Sequence, residues 1–249
     1  MPDPILLRQL DGAVARLTLN DPGRANVLSE AMMAALSQAL AELREDPAVR
    51  VIVLGAAGKV FCAGHDLGEL QAAGDGAEAV FASCSALMQA IVASPKPVIA
   101  RVQGAAVAAG CQLVASCDLA YAVDTARFAV SGINLGLFCS TPGVALARAV
   151  GRKDALEMLL TGRFVGAAEA AAMGLINRAV PAVELDDLVE QAAQAIAAKA
   201  PDAIALGKSV FQRQVELPLA QSYALASQAM AENLGFASAE AGIADFLKR

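Results

Sequence analysis

Apolar and polar residues alternate through "ILLRQLDGAVARLTLN" (residues 5–20), and Asp11-Gly12 breaks the alternation near its centre. A two-residue period interrupted by Asp-Gly predicts a β-hairpin. The period then lengthens. Met32, Leu36, Leu40 and Leu43 recur at helical spacing behind Ser29, a residue type that caps helix N-termini. Leu28 and Met33 flank that cap at the positions of a hydrophobic staple. "RVIVLGA" (50–56) is apolar without alternation, as a strand buried on both faces of a parallel sheet is.

The succession then recurs. A helical stretch over residues 76–94 precedes the strand "PVIARVQG". A small-residue turn and a short helix lead on to the strand "DLAYAV". Alternating strands and helices predict right-handed βαβ crossovers and a parallel sheet. From about residue 142 the texture is mostly helical, through "PGVALARAVGRKDALEMLLTG", "LDDLVEQAAQAIAAKA" and the final 30 residues, with "LINRAV" as one further strand candidate. This helical third holds apolar stripes such as Leu185, Leu188, Ala192 and Ile196, more than a small second layer needs, so some of the apolar surplus is expected at a subunit contact.

Composition narrows the class. The 249 residues are 57% apolar and 18% charged, enough for one large domain, alone or with an appendage. No run of 18 apolar residues appears, so no membrane partner is expected. "MPDPILLRQLDG" carries charges early and lacks an apolar core, so no signal peptide is expected either. The net charge of −6 argues against a nucleic-acid partner. Cys62, Cys84, Cys111, Cys117 and Cys139 form no C-x-x-C pair and are odd in number. Free thiols in a reducing, cytoplasmic location are the expectation. One histidine and scattered cysteines offer no metal cluster.

Several motifs fail. "ALGKS" lacks the first glycine of a phosphate loop, which would fall at Asp202, and no G-x-S-x-G occurs. The only histidine, His65, lies in "GKVFCAGHDLGEL" beside Asp66, whose side chain diverges from it in an extended segment. Two small-residue turns carry more promise. "GKVFCAGHDL" follows one strand; "AAVAAGCQL" follows another and opens a helix. Both turns fall at the carboxyl edge of a parallel sheet, where open α/β folds bind ligands. Two readings stand: two backbone amides aimed at one oxygen, or tight packing of strand on helix by small residues.

"FCAGHDL", then "VQGAAVAAGCQLVASCDLAYA", then "FAVSGINLGL…TPG…LTGRFVGAAEAAAMGLINRAV" together resemble the enoyl-CoA hydratase/isomerase (crotonase) superfamily over nearly the whole chain. "GHDL", "AAGCQLVASCDLA" and "NLGLFCSTPGVALARAV" look closest to its enoyl-CoA hydratase domain-containing protein three branch. The resemblance implies an α/β fold, a ClpP-like spiral of ββα units. A core over residues 1–195 would precede a helical region, 196–249, that covers the pocket and joins a homotrimer or a dimer of trimers. It implies an acyl thioester of coenzyme A as ligand, with no separate cofactor. By resemblance His65 and Ala109 supply two oxyanion-binding N–H groups. Arg24, Ala25, Val27, Ala63, Gly64, Asp66, Leu67 and Leu137 contact the substrate, with Arg24 and Lys59 as candidates for its phosphates and Asp66 bracing the turn.

The pattern breaks at two positions. The hydratases carry glutamates where this chain has Gln112 and Gly132. An amide and a glycine cannot exchange protons at neutral pH, so ordinary hydration is expected to be weak, and restoring both acids is expected to raise it. A degenerate acyl-CoA binder, or a thioesterase or decarboxylase needing only the oxyanion site, are the alternatives.

Overall fold

The computed structural model describes residues 3–248. β1 (Leu6–Asp11) and β2 (Val14–Leu19) form the expected hairpin, with Asp11 opposite Val14. Ser29 then caps α1 (Glu30–Glu45): its hydroxyl accepts the Met32 N–H at 3.2 Å. Met32, Leu36, Leu40 and Leu43 are buried, as are Leu28 and Met33. β3 (Val51–Ala56) is buried along its whole length.

The chain next repeats one unit. A long strand enters the main sheet, a short strand enters a second sheet, and a helix follows. β3 leads to β4 (Val60–Cys62), α2 (Leu67–Ala73) and α3 (Ala77–Val92). β5 (Val98–Val102) leads to β6 (Ala105–Val107) and α4 (Ala109–Ser116). β7 (Leu119–Val123) leads to β8 (Arg127–Ala129), a 3-10 turn over 131–135, and α5 (Ser140–Ala149). Then come α6 (Arg152–Thr161), β9 (Val165–Gly166), α7 (Ala167–Ala172) and β10 (Arg178–Val180). The main sheet runs β1-β2-β3-β5-β7-β10, parallel except at β1. The second sheet runs β4-β6-β8-β9. This is the ββα spiral that the resemblance implied. Periodicity alone missed the second sheet, because strands of two or three residues are too short to show a period.

α8 (Leu185–Ala197) packs on β3, β5 and β7 through Leu185, Val189, Ala193 and Ala197. Ala192 and Ile196 pack on the same core and Leu188 is half-buried. That stripe therefore faces its own sheet, and the expected boundary at 195/196 falls inside this helix. The separate helical part begins one element later, with α9 (Pro201–Gln214), α10 (Leu219–Leu234) and α11 (Ala237–Leu247), which pack on one another. Its anchor is Lys208. The Nζ donates to Asp118 Oδ2 at 2.6 Å, to the Ile91 carbonyl at 3.1 Å and to the Lys96 carbonyl at 3.3 Å. Asp118 Oδ2 also accepts the Val98 N–H at 2.7 Å, so one half-buried carboxylate ties α9 to the start of β5. Burial raises the Asp118 pKa, against the pull of Lys208.

Much of the exposed apolar surface lies on this arm: Leu219, Phe246 and Leu247 are 74%, 75% and 77% exposed, too uncovered to belong to the core. No helix of the described residues is long and apolar enough to cross a membrane.

Candidate active site

A cavity of about 560 Å³ opens where the second sheet meets the starts of α2, α4 and α5. His65, Ala109, Gly132, Arg24, Val27, Ala63, Asp66, Leu67 and Leu137 all line it. Gln112, Ala25 and Gly64, also expected at the site, do not.

Backbone geometry explains how the two turns reach one space. The Leu28 N–H donates to the Gly64 carbonyl at 2.8 Å, and the Ala63 N–H donates to the Ala25 carbonyl at 3.1 Å. Ala25 and Gly64 thus act from behind the lining. In a trans peptide the N–H points opposite to the C=O. With the Gly64 carbonyl held by Leu28, the His65 N–H is turned away from the 24–28 loop, and it has no backbone acceptor. Gly64 has φ +97°, and a Cβ there would come within 3.0 Å of the Val107 carbonyl oxygen and 3.3 Å of the Ala109 nitrogen. The 63–65 turn therefore lies directly against the start of α4.

Ala109 is the first residue of α4, so its N–H is one of the free donors of a helix N-terminus. Its peptide is aimed by Ala108, which holds φ +50° and ψ −116° without being glycine. This sparsely populated positive-φ region costs a residue with a Cβ about 1–3 kcal/mol. Hydrogen bonds on both sides hold it there: Ala108 N–H to the Ala129 carbonyl at 2.8 Å, and Gln112 N–H to the Ala108 carbonyl at 3.0 Å. Gly110 permits the approach from the other side, since a Cβ would lie 2.2 Å from the Cys62 carbonyl oxygen.

The His65 ring packs edge-on against Phe81, with centroids 5.4 Å apart and planes at 80°. Both ring nitrogens are enclosed without a hydrogen-bond partner. Burial lowers the imidazole pKa, opposed by the Leu28 backbone and the Glu69 charge. Asp66 is braced as the resemblance implied: Oδ1 accepts the Gly68 N–H at 2.8 Å and the Glu69 N–H at 3.3 Å, capping α2, and Oδ2 pairs with Arg24. Arg24 is thereby already partnered, with Asp21 Oδ2 a further 3.8 Å away. Lys59 is exposed and does not line the cavity.

The two positions without acids differ from each other. Gln112 is 4% exposed and lies behind the lining, its Oε1 without a partner. Gly132 does face the cavity, but a Cβ there would meet the Leu137 carbonyl oxygen at 2.5 Å and Cys139 Sγ at 2.8 Å. Its φ is not positive, so space and not backbone conformation restricts it.

All five cysteines are free. Burial pushes the Cys62 and Cys111 thiols up to about 12 and raises the Cys139 thiol as well, so these stay protonated at neutral pH. Among the described residues no group of three His, Cys, Asp or Glu could hold a metal.

Sequence reasoning missed Asn26. It is wholly buried at φ +52°; its Oδ1 accepts the Asp21 N–H at 2.9 Å, and its Nδ2 donates to the Ala57 and Val60 carbonyls at 2.8 Å. These bonds fix the 21–28 loop that holds the Gly64 carbonyl. The available signal was an asparagine, tolerant of left-handed backbone, just ahead of a helix cap. Leu70, Phe81, Leu135, Phe138 and Pro142 were missed as lining residues too. No residue after Pro142 lines the cavity among the described residues, so the C-terminal region does not cover it within one chain.

Comparison with known proteins agrees with this architecture. Residues 9–249 match the profile of the family described as Enoyl-CoA hydratase/isomerase. Human "Enoyl-CoA hydratase domain-containing protein 3, mitochondrial" is 46% identical over 250 residues, covering 100% of this chain and 82% of the relative. The crystal structure of an enoyl-CoA hydratase from Mycobacterium smegmatis superposes with a TM-score of 0.97 at 54% identity, covering 99% of this chain and 97% of that one. Human enoyl-CoA hydratase domain-containing protein 3 gives a TM-score of 0.95 at 44% identity, covering 98% and 97%. These names also correct the expected cytoplasmic location. The human protein and its Xenopus laevis counterpart, 44% identical to this chain, are both named mitochondrial. By profile, sequence and fold alike, the chain belongs to the enoyl-CoA hydratase/isomerase family.

Proposed function

We propose that this protein binds an acyl thioester of coenzyme A and stabilises its enolate between the His65 and Ala109 N–H groups. The observation that carries this reading is the pair of acceptor-free amides held at one cavity by separate hydrogen-bonded turns. The thioester oxygen is neutral in the ground state and gains negative charge as the enolate forms. Fixed donors therefore favour the enolate over the substrate. The first residues of α4 and α5 line the same cavity, and neither helix has a capping side chain. Both helix N-termini add positive potential there. Coenzyme A enters as part of the substrate, and no separate cofactor is required. Arg24 reaches the phosphates only by sharing or leaving its Asp66 contact.

The test separates backbone from side chain. His65→Ala keeps the N–H and is expected to retain acyl-CoA binding and most turnover. His65→Pro removes the donor and is expected to raise the barrier by about 3–4 kcal/mol. Both variants are first compared with wild type by thermal melt. Complete loss in a folded His65→Ala would assign the chemistry to the ring and end this reading.

A second reading is favoured by the absence of a carboxylate at positions 112 and 132. The same two amides serve a decarboxylation, a thioester hydrolysis, or binding without turnover. Product analysis over a panel of CoA thioesters distinguishes these outcomes.

The assembly is proposed as a homotrimer or a dimer of trimers. Its support is the exposed apolar arm of α9–α11 and a cavity that the arm leaves open within one chain. Light scattering is expected to give at least three subunits per particle; a clean monomer at micromolar concentration would exclude the assembly.

A further inference from the structure

We propose that the segment Leu135–Phe138 is the length-selecting wall of this site, and that the acyl group it takes is uncharged and longer than butyryl. This rests on the acyl-CoA reading above and concerns a different property of the same cavity.

Three observations carry it. First, apolar side chains from separate elements converge on the cavity while remaining open to solvent. Leu135 is 70% exposed, Leu67 56%, Leu137 48% and Phe138 42%, and all four line the cavity together with the more enclosed Leu70 and Phe81. Scattered exposed leucines need no explanation, but a contiguous group continuous with a binding cavity does. Second, charge in the lining cancels. Among the described residues, Arg24 and Asp66 are the charged residues of the lining at neutral pH and they pair with each other, leaving no free cation there to receive a carboxylate at the far end of an acyl group. A carboxylate held there would give up water for the Ser140 and Thr141 hydroxyls and the α5 N-terminus, with no cation to pair with it. Third, the wall has no space for an acid. Leu137 and Cys139 occupy the volume into which a side chain at 132 would grow, and Cys139 presents a protonated thiol. These side chains share one cavity with the two amide donors, and the occupant assigned to them is the acyl chain of the ligand held by those donors.

The experiment measures Kd by titration calorimetry for free CoA and for butyryl-, octanoyl-, dodecanoyl- and glutaryl-CoA. Each methylene buried is worth about fourfold in affinity, so octanoyl-CoA is expected to bind roughly 10²-fold more tightly than butyryl-CoA. Glutaryl-CoA is expected to bind more weakly than butyryl-CoA. Leu135→Asp and Phe138→Ser change exposed positions and are expected to fold and to flatten the series. Kd values for CoA esters that do not fall with chain length, or glutaryl-CoA binding as tightly as octanoyl-CoA, overturn the proposal and leave the acyl-CoA reading standing. Failure of every CoA ester to bind overturns that reading and this one with it. If the variants alter the particle mass by light scattering while the length series keeps its slope, the wall is a contact between copies of the chain, and the proposal is overturned.

Discussion

Crotonyl-CoA hydration by this protein is expected to be slower than in a hydratase with both glutamates by about 10²–10⁴-fold for each acid it lacks. The expectation that restoring both acids would recover the rate does not survive the geometry. A glutamate at 132 must displace the Leu137 carbonyl and the Cys139 thiol, and a backbone carbonyl does not yield as a flexible side chain does. Gly132→Glu is therefore expected to melt below wild type. Gln112→Glu folds a carboxyl into a place only 4% exposed, with no partner for the Oε1 already there. Burial raises such a pKa in the folded state. The sign follows: the variant is most stable in acid and loses stability as pH rises above the unfolded-state value of about 4.3. Melts at acid and alkaline pH, with hydration followed by loss of the enoyl absorbance, test both statements. Robust crotonyl-CoA hydration by wild type, unchanged in Gln112→Ala, would show that another residue supplies the base.

Lys208→Met is expected to destabilise the protein by up to about 3 kcal/mol, because it strands a largely buried carboxylate. Asp118 then keeps only neutral backbone donors, the N–H groups of Val98 and of Asp118 itself. Its pKa is raised by burial even with Lys208 present, so its contribution is fully present below the unfolded-state value and declines as pH rises through the folded one. The deficit of Lys208→Met is accordingly smallest in acid and grows toward neutrality. Lys208→Met combined with Asp118→Asn, which removes the stranded charge, should recover much of the loss. Urea titrations at acid and neutral pH read both effects; a loss independent of pH would assign it to packing alone.

Much of this architecture is legible where the cause is local. The alternation around Asp11-Gly12, the Ser29 cap and the unbroken apolar run of β3 each state their own element. The second sheet is not legible in that way. Val60–Cys62 and Ala105–Val107 become strands only because neighbouring turns of the spiral supply partners. The same distinction divides the site. The small residues of both turns mark them as places of close backbone approach. The direction of the amides depends on Leu28, Ala129 and the buried Asn26, whose partners lie up to 36 residues away. The retreat of Gln112 behind the lining, and the wall behind Gly132, are likewise properties of packing. The surplus of apolar residues was readable, but α8 and the arm carry similar patterns, and only tertiary contact shows which one is covered.

Because backbone partners orient the Gly64–His65 peptide, a comparison of side chains across relatives is a poor guide to what position 65 contributes. Every residue except proline presents the same N–H on the same axis. A substitution there other than proline leaves the N–H in place. The residues under constraint lie one step back: Gly64, for its conformation and its contact with α4, and Asn26, for the loop that receives the Gly64 carbonyl.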